Sequence, residues 1–184
     1  MFDALKQKIF RCQLSKNNPR PTRFPHWDAV KSILILYESD LAEKNQTVKD
    51  LVQRLLHEDK EVATWGYADK RDIQSPILPQ NRIIGKKDIN CFGGLKSGIV
   101  KDLQSHEYDL LIDLTQNTSL PLAYAALSTK ACFKAGRLIS TKGQEEQAQS
   151  DGIHDLIIKM PVQEDVTPLY EQITLFIKMI QSKD

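Results

Sequence analysis

The sequence predicts a three-layer α/β domain: a mostly parallel sheet of about five strands, Rossmann-like or flavodoxin-like, with helices on both faces. Three observations lead there. Two short runs, Ser32-Ile33-Leu34-Ile35-Leu36-Tyr37 and Asp109-Leu110-Leu111-Ile112-Asp113-Leu114, are apolar with little alternation, as strands covered on both faces must be. Between and after them, apolar residues recur every three or four positions, the period of an amphipathic helix. The two patterns alternate along the chain at lengths that suit right-handed βαβ crossovers.

The elements follow in order. Residues 1–30 read as a basic helix and a proline-rich arm, and 31–184 as a single α/β domain. Phe2, Leu5, Ile9 and Cys12 mark the helix, with Lys6, Lys8 and Arg11 elsewhere around it. Pro19, Pro21 and Pro25 forbid helix in the arm, which Phe24 and Trp27 pin to the body. After the first strand, Thr47 is the expected N-cap of a helix carrying Val48, Leu51, Val52, Leu55 and Leu56. Glu61 to Tyr67 reads as the second strand. The stretch from Ala68 to Lys96 holds Pro76, Pro79 and Gly93-Gly94, with one short strand at Arg82 to Ile84. A helix after Ser97 turns Ile99, Val100 and Leu103 inward. Asp109 to Leu114 is the third core strand, followed by a helix capped by Ser119 with Pro121 in its first turn. Ala131 to Gly136 and His154 to Lys159 complete the sheet, and Thr167-Pro168 opens the last helix. The polar segment 141–152 reads as a loop.

Composition narrows the function classes. With 41% hydrophobic and 27% charged residues among 184, the chain is an ordinary globular one. The net charge of +1 gives no overall field for nucleic acid, which is not expected as a partner. Yet the first 31 residues carry seven basic and two acidic side chains, a local +5, leaving −4 for the rest. This basic helix fits docking on its own domain or on a second copy as a homodimer, and an anionic membrane surface is a further possible partner. Cys12, Cys91 and Cys132 have no CxxC spacing and read as reduced, partly buried thiols of a cytoplasmic protein. Neither a secretory leader nor a membrane span is expected. No cofactor or metal motif is present in the pattern.

A site, if there is one, belongs beyond the carboxyl ends of the strands. The candidate ligand-binding residues there are Glu38, Ser39, Asp113, Thr115, Asn117, Gly136 and Arg137, any of which can equally be a loop residue or a cap. Phe92-Gly93-Gly94-Leu95-Lys96-Ser97-Gly98 places its lysine and serine before the last glycine, so it is not a phosphate loop but a turn into a helix. No GxSxG elbow exists. His26, His57, His106 and His154 are scattered and read as surface or capping residues. Asp109 and Asp113 share a face but stand at opposite ends of one strand, too far apart to act on one bond.

Asp88-Ile89-Asn90-Cys91-Phe92-Gly93 and the run from Asp109 through Ala131-Cys132-Phe133-Lys134-Ala135-Gly136-Arg137 resemble an uncharacterised bacterial family without an assigned activity. More distantly, the second stretch is similar to the amino-terminal half of heptosyltransferase-type glycosyltransferases. There a strand of DLVIDL form leads through a helix to a short strand, with Asp113 and Gly136 in the matching places. Those enzymes need a second Rossmann-like domain, for which 184 residues leave no room. Two readings stand on these residues: a ligand- or protein-binding module without catalysis, or a small or incomplete glycosyltransferase-like enzyme.

Overall fold

The computed structural model describes residues 2–16, 22–39, 42–69, 80–138, 152–161 and 165–180. The predicted loop at 141–152 lies, apart from Gly152, outside the described residues. Six strands form one open, entirely parallel sheet: β1 (Ser32–Glu38), β2 (Glu61–Tyr67), β3 (Asn81–Ile84), β4 (Glu107–Asp113), β5 (Lys130–Arg137) and β6 (Leu156–Ile158). Their order, β3-β2-β1-β4-β5-β6, is the Rossmann arrangement and rules out the flavodoxin-like one. The sheet has six strands rather than five because the four-residue β3, only partly buried, pairs with β2 at the edge.

Alternate residues of each strand enter two separate cores. Ile33, Ile35, Leu110 and Ile112 pack under α2 (Ala42–His57) and α5 (Thr167–Met179). Leu34, Leu36 and Leu111 pack under α3 (Ser97–Gln104) and α4 (Leu120–Ser128), with α1 (Phe2–Lys16) resting its Phe10 on the same layer. Burial on both faces explains why β1 and β4 carry such unbroken apolar runs.

Three expectations need correction. Helix α2 begins at Ala42, so Thr47 lies inside it rather than at its cap. The preceding Ala42, Glu43 and Lys44 are strong helix formers that extend the helix beyond its apolar stripe. Cys12, Cys91 and Cys132 are exposed thiols, not partly buried ones. For Cys132 the reason is that β6 pairs with β5 only from Ala135 onward, leaving the start of β5 without a strand on that side. And the buried face of α1 is not the one bearing Leu5, which is 48% exposed. Phe10 instead meets Tyr124 edge-on, with centroids 4.8 Å apart, and Leu14 packs beside Gly152.

The arm is pinned as expected. Trp27 is buried, its indole N–H donating to Glu58 at 2.9 Å, and Phe24 packs edge-on against Phe133. The buried Lys60 ammonium donates to the carbonyls of Trp27 and Val30 at 3.0 and 2.7 Å. At the amino edge of the sheet, Asp109 accepts from the amides of Lys31 and Ser32 and from the Ser32 hydroxyl. This carboxylate joins the starts of β1 and β4.

Candidate functional site

In a sheet of this order the crevice for a ligand opens where the order reverses, between β1 and β4. Here the protein's own side chain occupies it. Glu38, the last residue of β1, is 4% exposed and accepts from the amides of Gln116 at 3.3 Å and Asn117 at 2.9 Å. Ser39 turns away, its hydroxyl donating to Asn45 at 3.0 Å and its amide to the Tyr67 carbonyl at 2.8 Å. Glu38, Ser39 and Asn117 therefore tie loops together. None of them faces the open space.

That space lies one strand over. A cavity of about 180 Å³ opens at the carboxyl ends of β4 and β5. Asp113, Thr115 and Arg137 form its strand side, and Thr118, Ser119, Leu120 and Ala123 contribute the start of α4. Ile153 and His154 close it from the segment before β6, and Gln7, Phe10 and Arg11 of α1 lie across it.

The polar heart of the cavity is a buried pair. His154 Nε2 stands 3.3 Å from Asp113 Oδ2, with the two side chains 5% and 6% exposed. The other Asp113 oxygen accepts from the Thr115 amide at 2.9 Å and from the Thr115 hydroxyl. Gly136 makes room for the imidazole: a Cβ at that position would lie 2.7 Å from His154 Nε2. Gly136 is thus a spacer behind the site and has no contact role of its own.

Arg137 is held from both sides, with Nε donating to the Met160 carbonyl and Nη1 to the Gln116 carbonyl, each at 2.8 Å. Burial lowers its pKa from the ordinary arginine value, and the nearby Glu38 carboxylate offsets part of that effect. Lys134 is buried beneath α4, where its ammonium donates to the carbonyls of Ala126 and Leu127 at the end of that helix. It anchors the helix whose other end lines the cavity.

Of the seven candidate residues, the fold brings Asp113, Thr115 and Arg137 together in one wall. His154 corrects the reading of all four histidines as surface or capping residues: His26, His57 and His106 are exposed, but His154 is buried against Asp113. Also missed were Phe10 and Arg11, which reach the site only because α1 docks with its 7/10/11/14 face. The Gly93 turn stays apart from this chemistry. Asn90 Oδ1 accepts from the amides of Phe92 and Gly94, and Gly93 takes φ +82°, which glycine adopts freely. Among the described residues no helix is long and apolar enough to cross a membrane, and no three His, Cys, Asp or Glu side chains gather as a metal site.

No curated protein and no solved structure matches the chain, and none of the comparisons returns a glycosyltransferase. One family does match, over residues 3–180, taking in α1 and the arm together with the whole sheet. The chain belongs to this family, a family of unknown function (DUF6913).

Proposed function

We propose that this chain is a ligand-binding domain that takes one small molecule in the cavity at the carboxyl ends of β4 and β5. The observation that carries this reading is the buried Asp113–His154 pair opening onto a space of about 180 Å³. Burying two ionisable side chains is costly unless they are paired and hydrogen-bonded, and a site is where proteins retain such groups. An apolar-walled pocket with a few convergent polar groups is the usual form of a small-molecule site. Binding rather than catalysis is favoured because Ser119 Oγ, in the same wall as His154, makes no hydrogen bond with it.

A thermal-shift screen of the full chain tests this. Saturation at a hundred times the dissociation constant adds about 2.7 kcal/mol, or about 5–10 °C for a domain of this size. Ala123→Phe, which fills the cavity from α4, should abolish the shift of a true ligand while preserving a cooperative melt. A hit whose shift survives Ala123→Phe would place binding elsewhere and overturn the reading. So would silence across organic acids, sugars, amines and nucleotides at millimolar concentration.

A further inference from the structure

Two donor side chains of the cavity wall, Ser119 and Arg137, stand together at its polar corner. Ser119 Oγ is buried without a hydrogen-bond partner, although it occupies the position from which a serine ordinarily caps a helix. Arg137 is the second. Its Nε and Nη1 are engaged by the carbonyls of Met160 and Gln116, which fix the plane of the guanidinium in the cavity wall. A buried hydroxyl is ordinarily matched by a partner, and a guanidinium only donates, so the group complementary to both is an oxygen with free lone pairs. The start of α4 does not supply the site by itself, because Pro121 removes one amide from its first turn.

The remaining wall limits the rest of the molecule. Phe10, Leu120, Ala123 and Ile153 are apolar and surround the polar corner. The volume, about 180 Å³, compares with roughly 150 Å³ for a dry cavity that holds benzene, so one ring or branched chain of that size fits. Asp113 stands in the same wall, which penalises a doubly charged phosphate more than a singly charged acid. Arg11, exposed on α1 at the rim, adds a further positive charge.

Resting on the binding reading above, we infer that the cavity takes a small monocarboxylic acid, its carboxylate on Arg137 and Ser119 and its apolar body against Phe10, Leu120, Ala123 and Ile153. The carboxylate receives a charge-assisted bond from a guanidinium already held in place, so little side-chain ordering is needed on binding. Burial lowers the Arg137 pKa, and a bound anion offsets this by favouring the charged guanidinium.

Isothermal titration of the full chain with benzoate, benzyl alcohol, benzylamine and inorganic phosphate tests this, because the first three share one body and differ in head group. Benzoate should bind about 10- to 100-fold more tightly than benzyl alcohol, the range of one charge-assisted hydrogen bond. Arg137→Gln should bring benzoate down to the level of the alcohol and leave the alcohol unchanged. Arg137 also holds two loops, so Ser119→Ala provides an independent variant, with benzoate weakened several-fold in an intact fold. Equal binding of acid and alcohol, both abolished by Ala123→Phe, would overturn the acid and leave the cavity reading standing. Preference for benzylamine would make Asp113 the recognition group and overturn the inference. Phosphate binding as tightly as benzoate would also overturn it, by making the apolar body irrelevant. No binding by any of the four, beside a cavity-dependent hit from another class, would dismiss the acid but not the site.

Discussion

The two gaps at the carboxyl edge of the sheet share β4 and differ in what fills them. Between β1 and β4, where the strand order reverses, Glu38 reaches across and takes the amides of Gln116 and Asn117. Between β4 and β5, the residue paired with the end of β4 is Gly136, which has no side chain, and His154 lies over it from another segment. The first gap is closed by a local residue of the strand itself. The second is framed by five separate segments and keeps a cavity. Topology thus determines where crevices can form, and the side chain at each strand end determines which crevice stays open.

The largest expected effect comes from breaking the closed gap. Glu38→Ala leaves the buried Gln116 amide and the part-buried Asn117 amide without their acceptor and Arg137 without its nearby carboxylate, so stability should fall by about 2–3 kcal/mol in urea denaturation. A loss below about 0.5 kcal/mol would mean that water replaces the carboxylate and that the gap is not sealed by it. Next, Gly136→Ala sharpens the contrast from the open side. Its Cβ would meet the imidazole, so His154 must move, at a cost of about 1–3 kcal/mol. The same change should erase ligand-induced thermal shifts, which Glu38→Ala measured well below its own melting point would test separately.

The smallest effect is expected far from both gaps, at the amino end of β4. Burial alone would raise the Asp109 pKa, but the amides of Ser32 and Lys31 and the Ser32 hydroxyl outweigh it, holding the carboxyl below its ordinary value of 3.8. A lowered pKa in the fold means stability that is present above the unfolded value and lost as pH falls through the folded one. Asp109→Ala should therefore cost about 1–2 kcal/mol near neutral pH and flatten the acid end of the stability profile below about pH 4. Ligand binding in this variant should match the parent. A change there would show that the two ends of β4 are coupled.

Much of this architecture was legible in the chain. The runs at Ile33–Leu36 and Leu110–Ile112 announce doubly covered strands because burial on both faces leaves no polar positions between them. Asp113, Thr115 and Arg137 were legible as a rim because strand ends can be read from local pattern. What stayed hidden depends on contacts between distant segments. The helix face chosen by α1 includes Gln7 and Arg11, polar residues that no hydrophobic stripe would select. His154 is buried by packing on Gly136, eighteen positions earlier, with no local signal beyond a glycine at a strand end. Glu38 could be placed at the switch point, but not its reach to two amides in the loop after β4.

The carboxylate of Asp109 also acts on time. The amides of Lys31 and Ser32 donate to this side chain, at 2.8 and 2.9 Å, at the point where β1 begins. Their protection against exchange with deuterated solvent accordingly follows the protonation of a single carboxyl group. Amides deeper in β1 exchange only when the sheet itself opens. Once intrinsic rates are divided out, lowering the pH should release these two protons ahead of the rest of the strand. The entry to the central strand thus carries its own clock, set by acidity and read one amide at a time.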